Sequence, residues 1–111
     1  MKASIRKKVL ERDQYCYHCG EFNDLVIHHR RNRGMGGSKL LDRYECLLAV
    51  CPLYNGLMES DAGVAVAARG WGHKLGSWED FDKPVFDSVK FIWYVLDSNG
   101  GKKEINVEGY I

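Results

Sequence analysis

Apolar positions near the N-terminus recur at the intervals of an α-helix. Ile5, Val9 and Leu10 fall on one face, and lysine and arginine residues fill most of the positions between them. This pattern predicts a short basic amphipathic helix over residues 4–13. Ser4 is the expected N-cap, because a serine hydroxyl accepts a hydrogen bond from an unpaired N–H of the first helical turn.

Two short apolar runs follow, separated by a segment rich in glycine and arginine. The runs near residues 25–29 and 46–50 predict a pair of antiparallel strands, and the basic segment predicts the long loop between them. Pro52 then fits the first turn of a helix, where its missing N–H is tolerated. The residues after it either continue that helix or begin another, with Ser60 or Asp61 as the cap.

Beyond residue 70 the composition shifts to aromatic and β-branched residues, which favour strands. The runs "KPVF" and "FIWYVLD" predict two strands, and the Ser-Asn-Gly-Gly stretch at residues 98–101 predicts a hairpin turn into "KKEINVEGYI". The predicted order is helix, turn, strand, loop, strand, helix and a β-rich end. This order predicts an α+β fold.

Composition fits one domain over residues 1–111, with 45% apolar and 28% charged residues. Residues 1–43 hold ten Lys/Arg against five Asp/Glu, whereas residues 44–111 hold six against ten. The basic half suggests a face directed at a polyanion, although a solvated helix face explains the same pattern. The N-terminus lacks the apolar segment of a signal peptide, and no run approaches the roughly 18 apolar residues that span a bilayer. We therefore expect a cytoplasmic protein.

In that reducing compartment the four cysteines are expected to be thiols or metal ligands. Cys16 and Cys19 form a C-x-x-C turn followed by glycine, a spacing with which two thiolates bind one tetrahedral zinc ion. A redox pair has the same spacing but normally lies where a strand runs into a helix. Cys51 begins a second pair whose other member is replaced by Tyr54, so three cysteines are expected to hold a structural Zn²⁺, with buried metal-free thiols as the alternative. The fourth position is left to water or to one of two histidines, His18 and His73.

Two consecutive histidines end the first predicted strand. Side chains of neighbouring strand residues point to opposite faces, so His28 and His29 are expected to diverge. One core histidine and one surface histidine would explain an isolated pair. This pair is preceded by a cysteine turn and followed by a basic loop and by a helix that carries Asn55, which favours a functional site.

Taken together, residues 12–61 resemble the HNH endonuclease family, including its small phage-encoded members. The likeness rests on the order and spacing of "RDQYCYHCG", "LVIHHRRNRGMGGS" and "CLLAVCPLYNGLMESD". It implies a ββα-metal (HNH, His-Me finger) core over about residues 12–70, with an N-terminal helix, a cysteine knuckle and a C-terminal β-hairpin in an extension over about residues 71–111. It also implies a divalent-metal-dependent endonuclease that nicks or cuts DNA, located in the host-cell cytoplasm if phage-encoded. Phage packaging or replication proteins are then candidate partners.

Position by position, the resemblance makes His29 the general base that activates water. His28 and Asn55 become ligands of a catalytic Mg²⁺ or Mn²⁺, and Cys46 falls at the central position, where asparagine is usual. A thiol is a weaker hydrogen-bonding group than an amide, so the loop that this residue holds is expected to be less well fixed. Four basic residues are assigned to DNA phosphates: Arg30, Arg31, Arg33 and Lys39.

Three functions are consistent with these residues. The first is an active DNA endonuclease. The second is a catalytically impaired DNA-binding module of the same fold, which the departures at Cys46 and Tyr54 suggest. The third is a redox or zinc-only adaptor without a nucleic-acid partner. The intact His28, His29 and Asn55 favour the first over the second, and the basic loop favours both over the third.

Overall fold

Three α-helices and five strands lie in the described part of the chain, residues 1–31 and 42–106 of a computed structural model. The elements, in chain order, are α1 (Ala3–Asp13), β1 (Val26–His29), β2 (Leu47–Val50), α2 (Pro52–Ser60), α3 (Ala62–Gly70), β3 (Val85–Asp87), β4 (Ile92–Leu96) and β5 (Lys102–Ile105). Strands β1 and β2 form one antiparallel sheet, and β3, β4 and β5 form a second. The fold is α+β, as the order of elements predicted.

The first sheet carries the two histidines. β1 pairs antiparallel with β2, with Val26 opposite Val50 and His29 opposite Leu47. All four residues of β2 are buried, because α1 packs against this strand. Burial on both faces explains why β2 is an unbroken apolar run rather than an alternating one. Both strands confirm the prediction made from the apolar runs.

Two helices follow β2, and each is preceded by a residue whose side chain caps its first turn. Pro52 is the first residue of α2, and the Cys51 thiol caps this helix by accepting a hydrogen bond from the Tyr54 N–H at 3.3 Å. Asp61 caps α3 through its side-chain oxygen, which accepts from the Val64 N–H at 3.1 Å. The predicted helix start at Pro52 and the predicted cap at Asp61 are confirmed.

Helix α1 is fixed by its C-terminal end rather than by a cap at its start. The prediction that Ser4 is the N-cap is wrong, since Lys2 holds that position without a side-chain hydrogen bond and Ser4 lies inside the first turn. At the other end, Arg12 and Asp13 form a buried ion pair at 2.7 Å. The Asp13 carboxylate also accepts from the Ala49 N–H at 2.9 Å, which joins α1 to β2.

The C-terminal hairpin confirms the turn predicted from sequence. Asp97 begins the turn, and its carboxylate accepts hydrogen bonds from the N–H groups of Asn99 at 2.8 Å and Gly101 at 2.9 Å. Gly100 has a φ of +86°, a conformation that glycine adopts without the steric cost of a Cβ. The turn thereby sets the register of β4 against β5.

Candidate functional site

The two consecutive histidines of β1 lie in different surroundings. His28 is buried, with 5% of its surface exposed, whereas His29 keeps 17% of its side chain exposed. This difference is what alternation along a strand produces when one face is covered and the other is only partly covered. His29 is thus the histidine of the pair that solvent or a ligand reaches more easily.

His29 is oriented by the carboxylate of Asp42, 13 residues further along the chain. Its Nε2 lies 2.8 Å from Oδ1 of Asp42. An ionised carboxylate only accepts, so Nε2 carries the proton and donates it to Asp42. In the neutral ring the lone pair is then on the other nitrogen, Nδ1, which is the form required of a general base or a metal ligand.

His28 is held by the chain that follows α3. Its Nε2 donates a hydrogen bond of 2.8 Å to the backbone carbonyl of His73. Burial lowers the pKa of His28 to about 4, with the hydrogen bond to the His73 carbonyl opposing this change and the positive charge of Lys74 adding to it. His28 is therefore neutral at pH 7, with the lone pair on Nδ1.

Asn55 lies in the first half of α2, the helix that contacts β1. It is half-buried, and its N–H donates to the carbonyl of Cys51 at 3.0 Å. Glu59 lies four residues further along the same helix and is exposed. Residues at this spacing share one face of a helix, so Asn55 and Glu59 lie on the same side of α2.

Cys46 lies directly before β2, and it is buried. Its backbone carbonyl accepts from the Arg30 N–H at 2.7 Å, and its own N–H donates to the Arg43 carbonyl at 2.9 Å. Burial raises the pKa of the Cys46 thiol, and backbone hydrogen bonds from Arg31 and Arg30 oppose that rise. The backbone of Cys46 therefore joins Arg43 to Arg30, the residue that follows β1. The raised pKa keeps its thiol neutral.

Arg30 is a structural residue, which corrects the prediction that it contacts phosphate. It is 0% exposed, and its guanidinium donates to four backbone carbonyls. These belong to Gly72 at 2.9 Å, Glu45 at 2.8 Å, Phe81 at 3.0 Å and Lys83 at 2.5 Å. A guanidinium that is fully buried and bonded to this extent cannot reach a DNA phosphate without unfolding of its surroundings.

Arg31 is half-buried, and its guanidinium packs over the Phe81 ring at 4.5 Å from the centroid. One of its amino groups also donates to the Glu79 carbonyl. These contacts hold the Arg31 side chain in place. A phosphate contact by Arg31 stays a prediction. Two further predicted DNA contacts, Arg33 and Lys39, lie outside the described residues.

Three cysteines come together as the sequence predicted. The sulfur atoms of Cys16, Cys19 and Cys51 all lie within 4.8 Å of one another, and the Cys19 and Cys51 sulfurs are 3.6 Å apart. Gly20 follows the turn with a φ of +81°, and its N–H donates to the Cys16 carbonyl at 2.7 Å. Burial raises the pKa of the Cys16 thiol to about 12, against the opposing effect of backbone hydrogen bonds from Cys51, His18 and Cys19.

The two histidines considered as a fourth ligand both contact Tyr54. The Tyr54 hydroxyl donates to Nδ1 of His73 at 2.6 Å, and Nε2 of His73 donates to the Phe86 carbonyl at 2.7 Å. Both ring nitrogens of His73 are therefore in use, which excludes it as the fourth ligand in this conformation. The His18 ring stacks on Tyr54 with 4.1 Å between centroids and does not join the group of converging sulfurs.

Three charged residues near the histidines were missed by sequence reasoning: Asp42, Glu59 and Lys74. Asp42 is bonded to His29, which lies 13 residues away in the sequence, and Lys74 is bonded to Glu59, which lies 15 residues away. Glu59 has a local signal, since it lies one helical turn after Asn55. The other two have none, because their partners are determined by tertiary packing.

Comparisons of the chain with protein-family models, with curated proteins and with solved structures find no match in any of the three. Over residues 1–31 and 42–106, none of the helices has the length and apolar character needed to cross a membrane. The site is therefore interpreted below from its own geometry.

Proposed function

We propose that this protein is a divalent-metal-dependent DNA endonuclease and that β1, β2 and α2 form its HNH-type ββα-metal core. The observation that carries the proposal is the hydrogen bond between His29 Nε2 and Asp42 Oδ1. A carboxylate that fixes the tautomer and orientation of a histidine is the arrangement by which hydrolases prepare a general base. The partial exposure of His29 leaves this base within reach of water and of a bound strand.

In this mechanism His29 takes a proton at Nδ1 from the water that attacks phosphorus. Asp42 accepts the hydrogen bond from Nε2–H throughout, so its negative charge stabilises the imidazolium that forms. The new bond joins the water oxygen to phosphorus, and the bond from phosphorus to the leaving sugar oxygen breaks. An imidazole suits this step at neutral pH because it both accepts and returns protons in that range.

His28 and Asn55 are the residues that would hold the divalent cation. The fit rests on His28, whose Nε2 is occupied by the His73 carbonyl while its Nδ1 keeps a lone pair. A backbone carbonyl on the second ring nitrogen is the usual support for a metal-binding histidine. When bound, the cation supplies positive charge to the phosphate and to the leaving oxygen. Both ligands are neutral, so we expect weak metal affinity until DNA supplies phosphate oxygens.

Cys16, Cys19 and Cys51 are proposed to hold a structural Zn²⁺ beside this core. Zinc–sulfur bonds of about 2.3 Å in a tetrahedron place sulfurs about 3.8 Å apart, close to the 3.6 Å between Cys19 and Cys51. Such a site would join the knuckle after α1 to the start of α2, since Cys51 caps that helix. Zinc would thereby fix the helix that carries Asn55.

The test is cleavage of supercoiled plasmid with Mg²⁺, Mn²⁺ or EDTA, with DNA binding measured in parallel. The wild type should cleave with either metal and not with EDTA. His29→Ala should lose about 10²–10⁴ in rate, the usual contribution of a positioned base, and should keep its fold and DNA affinity.

Asp42→Asn should also slow cleavage, because an amide N–H directed at Nε2 would favour the proton on Nδ1 and remove the lone pair that the reaction needs. Asp82→Asn, on an exposed residue, is the matched control and should cleave at the wild-type rate. A wild type that binds DNA but cleaves it with neither Mg²⁺ nor Mn²⁺ would favour the catalytically impaired binding module. Wild-type cleavage by His29→Ala would show that the base lies elsewhere.

A further inference from the structure

Lys74 is a buried cation that the proposed mechanism does not yet use. It is 7% exposed, and its ammonium lies 3.1 Å from Oε1 of Glu59, whose side chain is 58% exposed. Burying an ammonium costs free energy, and a half-solvated carboxylate offsets only part of that cost. A charge retained under these conditions is a candidate for a role beyond packing.

The residues before and after Lys74 are both hydrogen-bonded to residues at the end of β1. The carbonyl of His73, one residue earlier, accepts from His28 Nε2 at 2.8 Å. The N–H of Leu75, one residue later, donates to the Arg30 carbonyl at 2.5 Å, and Leu75 forms a parallel bridge with Arg31. Lys74 is therefore held beside the strand that carries both histidines.

A tight turn delivers this segment to β1. Gly72 has a φ of +74°, and a Cβ at this position would meet the Pro84 carbonyl oxygen at 1.9 Å. The Gly72 carbonyl accepts from the buried Arg30 guanidinium at 2.9 Å. The turn and the buried arginine leave the chain little freedom, so the position of Lys74 is set by the fold rather than by its ion pair alone.

The charge of Lys74 acts on His28, in addition to the larger effect of burial. It lowers the pKa of His28, and Glu59 raises that pKa by a smaller amount. All three groups therefore lie within electrostatic reach of one another. Glu59 shares a face of α2 with Asn55, so its ion pair with Lys74 joins that face of α2 to the segment after α3.

We propose that the Lys74 ammonium binds a non-bridging oxygen of the scissile phosphate and stabilises the charge that this phosphate gains as water attacks, with Glu59 holding the lysine in place. This inference rests on the proposed nuclease function. Lys74 takes no part in proton transfer: the proton of the attacking water goes to His29, and the leaving oxygen takes its proton from solvent. A preorganised cation in a partly dry site stabilises developing negative charge more than water does.

The test is single-turnover cleavage at saturating DNA by Lys74→Met, which keeps the length of the side chain and removes its charge. We expect a loss of about 10²–10³ in rate, the size seen when one preorganised donor to a transition state is removed, with a change of only a few-fold in DNA affinity. Lys74→Arg keeps a cation and should recover part of the rate. Lys83→Met is the matched control, since its ammonium also pairs with a glutamate, Glu79, at 2.6 Å.

The outcomes separate this inference from the function on which it rests. An inactive wild type would overturn the proposed nuclease together with this role. An active wild type and a Lys74→Met variant that cleaves equally fast, whether or not its melting temperature or DNA affinity falls, would overturn the role of Lys74 alone. A rate loss of the same size in Lys83→Met would also overturn it, because a general charge effect would then be enough.

A second measurement covers the case in which Lys74→Met does not fold. The wild type is given DNA with a single phosphorothioate of defined stereochemistry at the mapped cleavage site. Sulfur in place of the oxygen bound by Lys74 should slow one diastereomer at least tenfold, and Mn²⁺ should not restore the rate, since the contact is to an ammonium rather than to metal. Cleavage of both diastereomers at the unmodified rate in Mn²⁺ would overturn the proposal.

Discussion

Two polar regions meet at the end of β1, and they use their side chains differently. In the proposed site of His28, His29 and Lys74, each histidine has one ring nitrogen bonded, and within residues 1–31 and 42–106 no partner is seen at the other nitrogen. The second region is the buried cluster of Arg30, Tyr54 and His73, whose polar groups bond to other parts of the protein. Arg30 donates to four carbonyls, and both nitrogens of His73 are bonded.

The difference separates reactivity from rigidity. A lone pair that the fold leaves unused is available to water, metal or phosphate, whereas a fully bonded polar group contributes order and resists substitution. Substitutions in the proposed site should therefore change rate more than stability. Substitutions in the buried cluster should change stability and leave the chemistry of folded molecules nearly unchanged.

The largest expected effect on stability is at Arg30. Arg30→Met removes a buried guanidinium and leaves four buried carbonyls without their donor, which should lower the free energy of unfolding by about 3–5 kcal/mol. Arg30→Lys should recover little, since one ammonium cannot replace a planar group that reaches four carbonyls. Urea unfolding measures the loss, and Arg69→Met, on an exposed arginine, is the control.

The same variants test whether Arg30 contacts DNA. DNA affinity per folded molecule should be unchanged in Arg30→Met when measured well below its unfolding midpoint. A variant that keeps its stability but binds DNA more weakly and with a smaller salt dependence would restore the phosphate contact and break the distinction between the two regions.

The elements that depend on neighbouring residues were predictable from the sequence. β1, β2, the start of α2 and the C-terminal turn follow from apolar runs, a proline and an Asn-Gly pair, whose effects act over a few residues. The convergence of the three cysteines follows from the C-x-x-C turn and from Cys51 at the start of a helix.

The roles that depend on distant contacts were not predictable. Arg30 looks like part of a basic loop in sequence, and only its partners 15 to 53 residues away make it a core residue. Lys74 is placed by the turn at Gly72, and Asp42 is placed by its contact with His29. Neither contact has a local signal in the sequence. No local pattern distinguishes an arginine that binds phosphate from one that binds carbonyls, because both need the same five donors.

Tyr54→Cys is expected to have the next largest effect and to depend on metal. Tyr54 is 2% exposed and supplies the hydroxyl bonded to His73, so its loss without metal should cost about 2–4 kcal/mol. The new thiol would complete a four-cysteine site, so added zinc should raise the melting temperature of this variant more than that of the wild type.

Calorimetry with zinc and with EDTA, together with zinc content per chain, checks both parts of this expectation. Tyr54→Phe is the control, because it removes the hydroxyl without adding a ligand. Equal zinc-dependent gains in Tyr54→Cys and Tyr54→Phe would argue against metal binding by the cluster and favour buried thiols.

For a single side chain, the smallest expected effect is the loss of stability that each buried histidine causes in mild acid. Burial lowers the pKa of His73 to about 3 and that of His28 to about 4, both below the ordinary value near 6.5. Between these values the unfolded chain binds protons that the folded chain does not. Their contribution is therefore fully present above pH 6.5 and is lost as the pH falls, by about 2 kcal/mol for each histidine at pH 5.

Urea unfolding in EDTA at pH 7 and pH 5 measures this loss. His73→Gln, whose amide both accepts from Tyr54 and donates to Phe86, should lose about half as much between the two pH values as the wild type. An equal loss in both proteins would mean that groups other than His73 take up the protons, and the closed hydrogen bonding of the buried cluster would then have no energetic consequence in this pH range.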